Sequence, residues 1–309
     1  MQSSSNSLIE RLSVPWVSLA LGFGFLFLCY FVAGLFAPTL TSTFYQGPTE
    51  NNAMLGSPEG QNVFRFVQSI TAIVIWGLSA TFWANYTGGF RWRLGIRDRT
   101  WSGFFPLAAL TTLVAFPFVQ ELIVSSKNFA LPEFLSDWET WMKETERNAK
   151  QKYELLLGNF STGAVLGNFL AVAAVPAVVE EMFFRGFLVG TLRRMVPLHV
   201  AVWVGALIFS LFHFQFYGFF SRLFLGALLG YYYAWSGNLF TSILAHFVHN
   251  AVTLAIYLLA LRGTVDPAIL EDDFGFGWAL ALASACITLV LLYLYSRHSR
   301  KRKTALAHE

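Results

Sequence analysis

Six polar residues stand where long apolar runs should hold none. Glu180, Glu181 and Arg185 interrupt the run from Leu166 to Leu188. His213 follows Phe209-Ser-Leu-Phe, and His246-Phe-Val-His-Asn250 lies within a third run. On a helix, Glu181 and Arg185 are four residues apart, so they share a face and can pair. Glu180 points about 100° away from Glu181. One carboxylate is thereby left free while arginine holds the other, a division that suits an acid–base site. A buried glutamate with two histidines from other segments can activate water. Glutamate would accept the proton, and histidine and asparagine would donate hydrogen bonds to a developing oxyanion. Each piece has a plainer alternative: a Glu–Arg pair can brace a bundle, and a histidine on an apolar face can be structural. The coincidence of all six in so weakly charged a chain favours function.

The rest of the sequence says what must position them. Of 309 residues, 55% are hydrophobic and 13% charged. Soluble domains carry roughly 25% charged residues, so this chain is expected to dissolve largely in lipid. Cys29 and Cys286 lie in apolar stretches without CxxC or zinc-finger spacing, and read as small hydrophobes. Eight apolar stretches approach the length of about 20 residues that crosses a hydrocarbon core of ~30 Å. They are 14–37, 63–86, 102–124, 161–190, 198–217, 219–236, 238–261 and 276–296. Helices are expected throughout, because lipid leaves bare backbone groups unpaired. The fold class is therefore all-α, a polytopic transmembrane bundle of about eight spans. The sixth span is the weakest, being short and holding Arg222. Pro176, four residues before Glu180, is expected to kink the fourth.

Charge gives an orientation. Arg91, Arg93, Arg97 and Arg99, then Arg193 and Arg194, then Arg297, Arg300, Lys301, Arg302 and Lys303 fall on one side. Glu50, Glu59, Asp266, Glu271, Asp272 and Asp273 fall on the other, where Arg262 also lies and Arg65 opens span two. This predicts both termini in the cytoplasm. The polar stretch 126–160, with Trp138 and Trp141, reads as an amphipathic connector on the outer face; Pro132 and Glu133 suit a helix start. The chain accordingly divides into N-terminal spans (1–125), that connector, a core of spans four to seven (161–262), and a last span with a basic tail (263–309).

The series Glu180-Glu181-x-x-x-Arg185, Phe209-x-x-x-His213 and His246-x-x-x-Asn250 resembles the motifs of the CPBP intramembrane proteases. That group includes type II CAAX prenyl endopeptidases and bacteriocin-processing, ABI-like proteins. Arg185-Gly186 and Gly237-Asn238-Leu239 add to the resemblance, which covers roughly residues 160–256. It implies that Glu180 with His213 activates the attacking water. It also implies that His246 and Asn250 form the oxyanion site and that Glu181 and Arg185 hold the geometry. His249 is an extra residue without a role. Both glutamate-type and metalloprotease mechanisms are attached to the group. Without HExxH, no cofactor is favoured; the zinc alternative would use Glu180, His213 and His246.

The expected function is hydrolysis of a peptide bond in a membrane-associated protein or hydrophobic peptide, in a bacterial inner membrane. The partners are then that substrate and the bilayer, with no nucleic acid. A non-catalytic immunity or scaffold protein of the same fold is the main rival. A small transporter is another, since intramembrane Glu, Arg and His also mark ion paths, but no inverted repeat supports it.

Overall fold

A computed structural model describes residues 9–97, 102–127, 131–266 and 275–306. Arg99, Glu271, Asp272 and Asp273, used above for orientation, lie outside the described residues. Within them the chain is helical and contains no strand. The principal helices are α1 (Pro15–Phe44), α2 (Pro58–Thr87), α3 (Phe104–Lys127) and α4 (Ser136–Leu157). They continue with α5 (Thr162–Leu192), α6 (Leu198–Leu211), α7 (Phe219–Ser236), α8 (Leu239–Leu261) and α9 (Trp278–Leu306).

The ends of these helices follow from local chemistry. Ser57 caps α2 by accepting from the Gly60 N–H at 3.1 Å, with Pro58 at the first helical position. Ser161 caps α5 in the same way, and Asn238 Oδ1 caps α8 by accepting from the Phe240 N–H at 3.0 Å. Gly237 ends α7 in the left-handed region at φ 68°, which glycine adopts without a Cβ clash.

Six helices, α1, α2, α3, α5, α8 and α9, are long and apolar enough to cross a membrane. The protein is an integral membrane protein and a polytopic helical bundle. Apolar side chains such as Phe27, Leu166 and Leu289 remain exposed on its flanks, where hydrocarbon would cover them. The fifth expected span departs from its prediction. α6 has only 14 residues and stops at Leu211, so His213 lies on a turn rather than on a helix. The α6–α7 pair is a short hairpin whose tip, 212–218, carries irregular backbone; Phe214 takes φ 50°. Such backbone is tolerated at membrane depth where protein partners satisfy it. Arg222 supplies them: its Nη1 donates to Gln215 Oε1 at 3.0 Å and its Nη2 to the Gln215 carbonyl. The charge that weakened the sixth span in the sequence is thus the brace of this turn.

α5 sits centrally, against α2 on one side and α8 on the other, while α3 packs on α7, α8 and α9. Phe183, Phe184 and Phe187 of α5 and Phe209 of α6 fill the core around it. α2 begins five residues earlier than expected, which moves Arg65 from the helix start into the interior; it is 4% exposed. α4 is the helix of the polar connector, entered through a short 3-10 turn at Glu133–Leu135. Its Trp141 ring lies 5.4 Å from that of Phe216 on the hairpin tip.

The segments bearing the basic residues meet at one end of the bundle. Asn238 Nδ2 donates to the Arg97 carbonyl at 2.9 Å, and Ser299 Oγ to the Trp235 carbonyl at 2.6 Å. At the opposite end, Arg262 Nη2 donates to the Phe160 carbonyl at 3.1 Å.

Candidate active site

The six residues come together as two layers. The inner layer is closed. Glu181 is 0% and Arg185 1% exposed, and Arg185 Nη1 donates to Glu181 Oε1 at 2.6 Å. Arg185 Nη2 donates to the Gly226 carbonyl at 3.1 Å, and its guanidinium lies 4.6 Å from the Phe209 ring centre. The guanidinium therefore ties α5 to both α6 and α7. The i, i+4 pairing read from the sequence is present.

The same Glu181 oxygen reaches a third helix. His246 Nδ1 lies 2.9 Å from Glu181 Oε1. The carboxylate accepts, so the proton sits on Nδ1 and the Nε2 edge turns outward. Sequence reasoning missed this contact because the partners are 65 positions apart. Glu181 thus orients His246 as well as bracing Arg185. Its Oε2 is buried and has no hydrogen-bond partner among the described residues.

The outer layer faces a cavity of about 250 Å³, into which Glu180, His213, His246 and Asn250 project from α5, the hairpin tip and α8. Glu180 keeps 15% of its side chain accessible, in contrast to its neighbour, and its Oε2 lies 4.0 Å from His246 Nε2. That gap is too long for a direct hydrogen bond and suits one bridging water. His213 Nδ1 lies 2.8 Å from the Phe209 carbonyl. A carbonyl can only accept, so Nδ1 carries the proton and Nε2 keeps its lone pair. Phe209 also presents its ring edgewise to His213 and His246, with centres 4.7 and 5.9 Å apart. It is a hub for both histidines and the arginine.

Of the rest of the wall, the sequence singled out only Pro176 and His249, neither of them as lining. Val172 and Pro176 come from α5, His249 and Thr253 from α8, and Tyr153 from α4. Tyr153 stands in the connector with no motif around it. Burial pushes its phenol above the ordinary tyrosine range, which keeps it a neutral donor.

A zinc centre would draw on Glu180, His213 and His246. Among the described residues no three His, Cys, Asp or Glu side chains are grouped closely enough to hold a metal ion.

Helical spans around an interior glutamate–histidine cavity define a class: polytopic membrane proteins with an ionisable site inside the bundle. Residues 162–252 match the family model described as type II CAAX prenyl endopeptidase Rce1-like, which supports membership of the CPBP group. That segment contains α5 to most of α8 and all six residues. The chain is also 38% identical over 80 residues to the Uncharacterized protein YpbD of Bacillus subtilis (strain 168). The match covers 25% of this chain and 38% of the relative's length. No solved structure matches.

Proposed function

We propose that the protein is an intramembrane endopeptidase that hydrolyses a peptide bond of a membrane-associated protein or hydrophobic peptide. The observation that carries this reading is the paired geometry of the carboxylates: Glu180 opens on a polar cavity, while Glu181 is sealed behind it and orients His246. The Rce1-like match of the same segment supports it.

The charges suggest how the site is primed. Two carboxylates, Glu180 and Glu181, face one guanidinium, Arg185. A single proton shared between Glu180 and His246 makes the cluster neutral, and their separation lets a water carry it between them. With the proton on His246, Glu180 is the base. A water held between Glu180 and the Nε2 lone pair of His213 loses a proton to Glu180 as its oxygen attacks the carbonyl carbon. The oxyanion then receives hydrogen bonds from protonated His246 Nε2 and the Asn250 amide. Collapse of the tetrahedral intermediate breaks the C–N bond, and Glu180 returns its proton to the leaving amine. This keeps the roles expected from the sequence and gives Glu181 a second one.

We read the basic end of the bundle as cytoplasmic, with both termini on that side of a bacterial inner membrane. The mechanism proposed uses no cofactor.

The test is a cleavage screen of the purified protein on fluorogenic apolar peptides. Glu180→Gln and His213→Ala are expected to lower turnover at least about 100-fold while the protein stays folded in detergent. Full activity in either variant overturns the mechanism. A zinc chelator should leave the wild type active; inhibition reversed by added zinc would replace the glutamate mechanism with a metal one.

A further inference from the structure

The polar cavity extends past the reacting groups. Besides Asn250 its wall carries an imidazole (His249), a hydroxyl (Thr253) and a phenol (Tyr153), none of which the hydrolysis uses. The first two continue the α8 face that bears His246 and Asn250, at helical spacing toward the end of the bundle away from the basic residues. Thr253 Oγ1 donates its proton to the His249 carbonyl at 2.9 Å, which leaves its lone pairs as acceptors. The Phe116 ring flanks His249, centre to centre 6.1 Å.

Tyr153 comes from α4, outside the segment matched by the family model. Its ring meets Tyr257 of α8 edge-on at 5.1 Å. Just beyond it, the last carbonyls of α4 are gripped by side chains of α2. Gln61 Nε2 donates to the Leu155 carbonyl and Arg65 Nη2 to the Leu156 carbonyl, both at 2.9 Å. Arg65 also donates to Asn168 Oδ1 at 2.6 Å and to Asn62 Oδ1 at 2.9 Å. Four C-terminal carbonyls of a helix lack partners inside it and carry partial negative charge. Burying a cation to hold them is a costly way to end a helix, and it fixes the turn that carries Tyr153.

A peptide bond brought to Glu180 carries neighbouring amides into the bundle, where each polar group left unpaired is costly. We propose that Tyr153, His249 and Thr253 form a binding subsite for the extended, uncharged main chain on one side of the scissile bond, and that Arg65 and Gln61 are positioning residues for it. The proposal rests on the peptidase reading. It makes α4 an element of substrate specificity rather than a connector.

Two experiments separate the ideas. On peptides that the wild type cleaves, Tyr153→Ala and His249→Gln are expected to raise KM about tenfold with kcat within about threefold, and Tyr153→Phe to fall between. A fall in kcat at unchanged KM would overturn the subsite. Independently of turnover, p-benzoylphenylalanine is placed at position 153 or 140 of the Glu180→Gln protein in liposomes, with biotinylated apolar peptides as probes. Capture at 153 well above that at the exposed position 140 sustains the subsite. Equal capture at the two positions, or none at either, overturns it, whatever the wild type cleaves. Capture at 153 by a protein whose wild type cleaves nothing refutes the peptidase reading alone.

Discussion

Among the described residues two guanidinium groups are buried, and they are satisfied in opposite ways. Arg185 meets a carboxylate, a carbonyl and an aromatic face. Arg65 meets two side-chain amides and a helix-terminal carbonyl, all neutral. The first arrangement belongs to a network whose other members, His246 and Glu180, are both ionisable. The second contains only neutral amide and carbonyl acceptors, so it can only hold geometry. A cation inside a membrane protein is therefore not by itself a sign of chemistry; what accepts its hydrogen bonds decides whether charge can move nearby.

The contrast can be broken at either end. The largest effect is expected for Glu181→Ala, which strands Arg185 and frees His246 together. Loss of activity of at least about 100-fold should accompany a stability loss of about 3–5 kcal/mol, read as a lower Tm in detergent. A variant with normal Tm would show that the pair is dispensable. Arg65→Ala comes next. It should destabilise by about 2–3 kcal/mol, expose 136–157 to limited proteolysis, and raise KM rather than lower kcat. In a Tyr153→Ala background it should raise KM no further, since both changes act through one ring. Arg222→Lys keeps the charge but loses the two-pronged hold on Gln215. Turnover should fall about threefold to tenfold as the His213 turn loosens, and unchanged turnover would show that the turn holds without it. The smallest effect is expected for Trp141→Ala, about 1 kcal/mol from its contact with Phe216, with activity unchanged.

The sequence carried local facts well and distant ones poorly. Apolar runs located the helices, and spacings of four placed Glu181 beside Arg185 and His246 on the face of Asn250, because both relations lie within one helix. The end of α6 was hidden, since Leu211-Phe212-His213-Phe214 is as apolar as the run before it and the stop is set by Arg222 binding back to Gln215. The Glu181–His246 contact and the entry of Tyr153 depend on packing between helices far apart in sequence. Asn168 and Arg65 lie 103 positions apart, and only their juxtaposition in the fold gives them meaning.

α5 winds loosely on both sides of its acidic pair. Wide π turns at Phe169–Ala174 and Met182–Val189 bracket Glu180 and Glu181, and α2 has another at Ile73–Leu78, facing them across the core. Such a turn holds one residue more than an α turn, as if a single amino acid had been inserted without lengthening the span. The helix thus contains slack, and its position matters for how the gene can change. A deletion between Glu181 and Arg185 would take its residue from the same loose turn but cut the spacing of the pair from four to three, rotating the arginine about 100° around the helix relative to Glu181. The same deletion between Gly186 and Val189 would take up the slack and leave the pair in phase. Loss of one codon should therefore be tolerated better after Gly186 than before Arg185, within a single turn of one helix.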